Sequence, residues 1–202
     1  MEFVLATFNR DKLRELAALL GLPGVTLTAL GDWPGARAPE EDGATLRENA
    51  LLKARAALAL TGRPALADDT GLEVDALDGR PGIHAARYSG PGATYASNRC
   101  RLLGELGRIP PERRGARFRC ACVACLPDGR ELVAEGVLEG RITDAPRGAH
   151  GFGYDPLFEV EDTGRTLAEM DETEKNAISH RARAVRALAS QLAAALPELA
   201  GA

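Results

Sequence analysis

Of the chain's 25 basic residues only three are lysines, Lys12, Lys53 and Lys175, and the rest are arginines. A flexible ammonium is a compact point charge, whereas a guanidinium is a rigid planar fork, so lysine in an arginine-using chain suggests a task for the point charge. Chance placement on solvated helices is the alternative. Each lysine falls inside a group of residues able to do chemistry. Lys12 ends the run Thr7-Phe8-Asn9-Arg10-Asp11-Lys12, which lies between a strand and a helix. Such a turn gathers backbone N–H groups at the positive end of the helix dipole, where phosphate binds. Thr7 and Asn9 could equally be ordinary caps.

Lys53 closes Thr45-x-x-Glu48-Asn49-x-x-x-Lys53, preceded by the acidic residues Glu40 and Glu41. On a helix Asn49 and Lys53 lie four apart and share a face, so an amide and an ammonium can point together at a triphosphate, or simply at solvent. Ala67-Asp68-Asp69-Thr70-Gly71 follows a short apolar run. Successive strand residues face opposite sides, so one carboxylate is expected in the site and the other in a structural bond. A carboxylate there could hold Mg²⁺ or take a proton from an attacking water; an Asp/Gly-rich turn is the plain alternative. The last group is Gly151-Phe152-Gly153-Tyr154-Asp155-Pro156, then Lys175, then Ser179-His180-Arg181. Glycines around an aromatic let backbone approach a flat ligand, and Tyr154, Asp155, His180 and Arg181 offer donors and acceptors for a base edge. His180 could also be a helix cap or a satisfied surface residue.

The elements that carry these groups alternate. Residues 2–6 predict a buried strand, and Leu13, Leu16, Ala17 and Leu20 recur at helical spacing until Gly21. A second strand is expected at 25–29, a loop at 31–43, a helix from Thr45 to about residue 60 with a capping box, and a strand at 64–67 ending in the Asp68-Asp69 turn. Residues 79–92 predict an ordered loop anchored by Ile83, Ala85 and Tyr88, and 94–106 a helix. Strands at 117–126 and 131–141 form a hairpin, 157–160 a short strand and 179–196 the last helix. The sum is an α/β fold with a mixed central sheet flanked by helices, a single catalytic domain over residues 1–202.

Composition narrows the function classes. A formal charge of −4 disfavours a long nucleic-acid footprint, and the cluster Arg113, Arg114, Arg117 and Arg119 reads as a solvated turn and strand edge. Cys120, Cys122 and Cys125 lack partner ligands at zinc spacing and read as buried thiols, the first two on one strand face and the third on the other. Without a signal peptide or a membrane-length apolar run, the chain is expected to be cytoplasmic and free of membrane partners.

Taken in order, Thr7-x-Asn9-x-x-Lys12, Glu48-Asn49-Ala50-x-x-Lys53-Ala54, Ala67-Asp68-Asp69-Thr70-Gly71-Leu72, Pro81-Gly82-Ile83-His84-Ala85-Ala86-Arg87-Tyr88, Gly151-Phe152-Gly153-Tyr154-Asp155-Pro156 and Ser179-His180-Arg181 resemble the motifs of the inosine/xanthosine triphosphate pyrophosphatase family. They span residues 7 to 181. The resemblance implies two lobes with the active-site cleft between them, a homodimer, and Mg²⁺-dependent cleavage of a non-standard purine nucleoside triphosphate to monophosphate and pyrophosphate. It implies phosphate binding by residues 7–12 and Lys53, with Asp69, Lys12 and Lys53 catalytic, Asp69 as general base, and Asn49 and Thr70 touching substrate. Asp69 and Glu40 or Glu41 hold the metal; Phe152, Gly153, Tyr154, Asp155, Lys175, His180 and Arg181 hold the base. The family usually has Gly where this chain has Phe8. A nucleotide sensor without hydrolysis, or an enzyme for modified pyrimidine triphosphates, are the competing readings.

Overall fold

In the computed structural model residues 1–197 are described. Along the chain run β1 (Glu2–Leu5), α1 (Arg10–Leu20), β2 (Thr26–Ala29), α2 (Leu46–Thr61), β3 (Ala65–Val74), β4 (Pro81–Gly82), α3 (Tyr95–Leu106), β5 (Gly115–Cys125), β6 (Glu131–Ile142), β7 (Phe158–Val160), α4 (Glu172–Ile178) and α5 (His180–Ala195). The strands form one mixed sheet in the order β2-β1-β3-β5-β6-β7, with β4 against β3. This is the expected mixed α/β architecture. Contacts divide the described residues into two compact units: Met1–Asp69, Cys120–Gly136 and residues 181–197 make the first, Thr70–Arg119 and Val137–His180 the second.

In the first unit β1 lies parallel to both β2 and β3, in register Leu5↔Ala29 and Leu5↔Leu66. A parallel strand covered on both faces buries both sets of alternating side chains. Phe3, Leu5, Leu66, Cys120, Cys122 and Ala124 accordingly pack with Leu16, Leu20, Val185 and Leu188 of α1 and α5. Their neighbours Val4, Ala65, Ala67, Ala121, Val123 and Cys125 pack on the other side with Ala50, Ala54 and Ala57 of α2. The three buried cysteines therefore occupy the faces the alternation assigns, and burial pushes the Cys125 thiol up to about 11.

The second unit has its own core, in which Leu72 and Val74 of β3 meet Leu102 and Leu106 of α3, Phe118 of β5, Leu138 and Ile142 of β6, and Phe158 of β7. β6 and β7 run antiparallel, with Ile142 opposite Phe158. Tyr88 and Ala85 are buried and anchor the 79–92 loop as expected.

Four local expectations are corrected. β3 does not end at the aspartate pair but continues to Val74, because Leu72 and Val74 supply fully buried anchors beyond it. The short helix α4 was not foreseen, although Asp171 accepts from Glu174 N at 2.8 Å and Glu174 accepts from Asp171 N at 2.9 Å, a reciprocal capping box. In the expected box at α2 only Thr45 performs its half, accepting from Glu48 N at 3.1 Å, while the Glu48 carboxylate turns to Ala44 N at 2.7 Å. Arg114 also departs from the solvated reading: its buried guanidinium donates to the carbonyls of Ile109 at 2.8 Å and Leu106 at 3.2 Å.

Candidate active site

The alternation that sorts the core also splits the aspartate pair. Asp68 shares the face of Leu66, toward α1 and α5, and Asp69 shares the face of Ala65 and Ala67, toward α2. Asp68 meets Lys12 Nζ at 3.1 Å and Arg181 Nε at 3.2 Å. Burial alone would raise its carboxyl, yet Lys12, Arg181 and Lys53 hold it well below the usual carboxylate range. Arg181 is in turn bonded to Glu15 of α1. Asp68 is thus held in a buried network of opposite charges.

Asp69 meets Lys53 Nζ at 2.6 Å and accepts from Asn49 Nδ2 at 3.5 Å. Burial pushes its carboxyl up, the Glu41 charge adds to that, and Lys53 and Lys12 only partly offset it. Burial works against the Lys53 ammonium too, but Asp69, Asp68 and Glu41 together raise it above its ordinary value. Glu41 reaches the same Lys53 Nζ at 3.0 Å, whereas Glu40 is exposed; the acidic doublet therefore contributes Glu41 here, and Glu40 is set aside. Asn49 Oδ1 also accepts from Gly43 N at 2.9 Å and so ties the Glu41 loop to α2. A Cβ on Gly43 would stand 2.7 Å from that oxygen, so the close approach needs glycine.

Two hard oxygen donors converging on one ammonium, with an excess of negative charge around them, fit a Mg²⁺ that takes one or two carboxylates and completes its shell with water and phosphate. Among the described residues no group of three or more His, Cys, Asp or Glu could hold a metal by itself.

The Thr7 to Lys12 turn is built by local bonds. Thr7 Oγ1 accepts from Asn9 N at 3.1 Å, and Asn9 caps α1 by accepting from Asp11 N at 2.9 Å and Lys12 N at 3.4 Å. Asn9 is therefore occupied as an N-cap, which aims the free end of α1's dipole at the turn. Arg10 and Asp11 lean outward onto Asp32 and Arg14. Phe8 is 50% exposed and lines a small pocket with Thr7, Asn9, Arg10, Ala29 and Gly31. Its ring passes so near Gly31 that a Cβ there would stand at 3.1 Å, so the bulky residue is accommodated by a glycine across the turn.

In the second unit Asp155 Oδ2 accepts from Phe152 N at 2.9 Å and from Lys175 Nζ at 2.7 Å, and that ammonium sits 5.1 Å from the centre of the half-buried Phe152 ring. Gly153 adopts φ 62, and Tyr154 gives its hydroxyl to Ala85 O at 2.9 Å rather than leaving it for a ligand. His180 is buried and stacks on Phe118 at 4.5 Å. Thr70 is half-buried on β3. Arg181 falls in the first unit, where its guanidinium pairs with Asp68 and Glu15. Glu15 was missed; its place three residues after Lys12 on the same helix face was the available signal.

The Ham1 family model matches residues 3–191. A dITP/XTP pyrophosphatase of Geobacter sulfurreducens is 53% identical over 190 residues, covering 94% of this chain and 95% of that protein. One from Symbiobacterium thermophilum is 51% identical over 195 residues, 96% of each. Among solved structures, a HAM1 protein from Coxiella burnetii aligns with TM-score 0.86 and 41% identity over 96% of this chain and 99% of that one. A nucleoside-triphosphatase / dITP/XTP pyrophosphatase from Mycobacterium abscessus aligns with TM-score 0.74 and 45% identity over 98% and 100%. With its motifs, fold and nearly full-length identity in agreement, the chain belongs to the Ham1 family.

Proposed function

We propose that this protein is a nucleoside-triphosphate pyrophosphatase that clears non-standard purine nucleotides, dITP, ITP and XTP, by releasing the monophosphate and pyrophosphate. The observation that carries the chemistry is the convergence of Asp69 and Glu41 on Lys53, at 2.6 and 3.0 Å. The purine assignment is supported by the names of relatives near 50% identity over most of the chain. Asp69 takes a proton from a water that attacks the α-phosphorus, a new P–O bond forms, and the bond to the bridging oxygen breaks with pyrophosphate as leaving group. The raised Asp69 carboxyl is a better proton acceptor than an exposed aspartate. Mg²⁺, held by Glu41 and Asp69, would supply Lewis-acid charge to the phosphate oxygens. Lys12 and Lys53 neutralise phosphate charge, and the backbone N–H groups of the Thr7 to Lys12 turn orient it. Phe152 offers its face to the base. The resemblance carries two further readings, a homodimer and a cytoplasmic location, which light scattering and cell fractionation check.

The deciding measurement is a panel of triphosphates assayed with Mg²⁺ and with excess chelator, scoring pyrophosphate against single phosphate. A site reading the base gives kcat/KM for dITP and XTP at least ~10²-fold above ATP and GTP, because buried polar mismatches discriminate strongly. Pyrophosphate should be the released product, and the chelator should abolish turnover. Equal rates on all purines, preference for a pyrimidine, or binding without cleavage would each overturn the reading.

A further inference from the structure

Of the large hydrophobic side chains among the described residues, Tyr95 is one of few that are exposed, at 40%, and it is not isolated. Its ring lies 5.7 Å from that of Phe152, tilted by 32°. One helical turn further along α3, Arg99 Nη1 donates to Gly153 O at 2.7 Å. Residues four apart share a helix face, so α3 presents a ring to the Phe152 side chain and a cation to the carbonyl just after it. The turn they meet is conformationally special: Gly151 and Gly153 take φ 70 and 62, and a Cβ on Gly151 would stand 2.1 Å from Asp155 Oδ2. Asp155 and Lys175 also contact Phe152, the carboxylate at its backbone N–H and the ammonium 5.1 Å from its ring centre. A turn with left-handed residues on both sides of its aromatic has several accessible ring directions, and each outside contact removes some.

We propose that Tyr95 and Arg99 are positioning residues of the base site, holding Phe152 and Gly153 in the orientation that receives a planar purine, so that α3 takes part in nucleotide selection. The inference rests on the proposed base-reading role of Phe152. Tyr95 and Arg99 belong to the second unit, and Lys12, Glu41, Lys53 and Asp69 to the first. Loss of either contact lets the Phe152 ring swing away and weakens base binding, without disturbing the groups that break the phosphoanhydride bond.

The test compares Tyr95→Ala, Tyr95→Phe, Arg99→Ala and Arg99→Lys with the unaltered protein, measuring KM and kcat for dITP, inhibition by inorganic tripolyphosphate, and Tm. For the two alanine variants KM for dITP should rise by about tenfold while kcat stays within about threefold, the pattern of lost binding rather than lost chemistry. Tripolyphosphate, which has no base, should inhibit all variants equally. Tyr95→Phe should behave as the parent, and Arg99→Lys should recover part of the loss. Unchanged KM in both alanine variants overturns the proposal, as does a matching loss of tripolyphosphate affinity, which would mark general damage. If Arg99→Ala fails to fold, the Tyr95 pair and Arg99→Lys decide alone. An unaltered protein inert toward dITP would instead overturn the functional reading, and this inference with it.

Discussion

Asp68 and Asp69 are adjacent and both buried, yet their surroundings push their carboxyls in opposite directions. For Asp68 the pull of Lys12 and Arg181 outweighs burial and the carboxyl is lowered; for Asp69 burial outweighs Lys53 and the carboxyl is raised. A lowered folded value means the charged form stabilises the fold, an effect present above the unfolded value of about 3.9 and lost as pH falls below it. A raised value means the charged form is tolerated at a cost, as expected of a group kept for chemistry. Asp69→Asn should therefore lower kcat by about 10²- to 10⁴-fold with little change in Tm. Asp68→Asn leaves Arg181 with a weakened set of partners in the interior and should cost about 3 kcal/mol, a fall in Tm of roughly 6–12 °C. Steady-state kinetics and thermal melts on the two variants check the split; a large Tm loss for Asp69→Asn with normal kcat would reverse the assignment. That the two aspartates face opposite sides was legible from strand alternation alone. What each meets there was not, because it depends on the helices lying over each face.

The 151–155 turn is the element in which backbone conformation and site are most closely joined. Gly151 has positive φ, and any Cβ there meets the Asp155 carboxylate that binds both Phe152 N and Lys175. Gly151→Ala should destabilise the fold by about 1 kcal/mol for the left-handed backbone alone, and more for the displaced carboxylate. Base binding should suffer first, seen as a raised KM for dITP ahead of any fall in kcat. A variant with parental Tm and KM would show that the turn tolerates the side chain. Elements governed by nearby residues were readable in the sequence: the Thr94 cap of α3, bonded to Ser97 N at 3.1 Å, and the αL glycines ending α1 and α2. The length of β3 was not, since Gly71 reads as a breaker until Leu72 and Val74 find a core to enter.

At the scale of the whole molecule, each compact unit carries its own core and its own set of buried polar groups. In the second unit Tyr88 gives its hydroxyl to Glu105 at 2.7 Å, and burial, then that bond and the Glu105 charge, push it up to about 12. Tyr154 is raised further still, by burial first and the neighbouring Tyr88 next. Both native phenols hold their protons more tightly than an unfolded tyrosine near 10, so the stability they contribute is present below about pH 10 and fades as pH climbs through the native values. Tyrosinate absorbance should lag behind that of the denatured chain, and Tyr88→Phe should remove part of the lag; ionisation of all tyrosines near pH 10 with the fold intact would contradict the burial. No helix among the described residues is long and apolar enough to cross a membrane. The amino-acid sequence by itself determined the α/β alternation, the Gly21 end of α1, the alternating faces of the aspartate and cysteine strands and six motifs, because each depends on neighbours within a few residues along the chain. Only tertiary structure decided that Glu41 rather than Glu40 meets Lys53, that Arg181 crosses 113 residues of sequence to reach Asp68, and that Arg114 is buried against carbonyls. The physical reason is that a buried charge takes whichever partner the packing of distant elements brings within about 3 Å, and local periodicity specifies the face a side chain occupies but not what lies opposite.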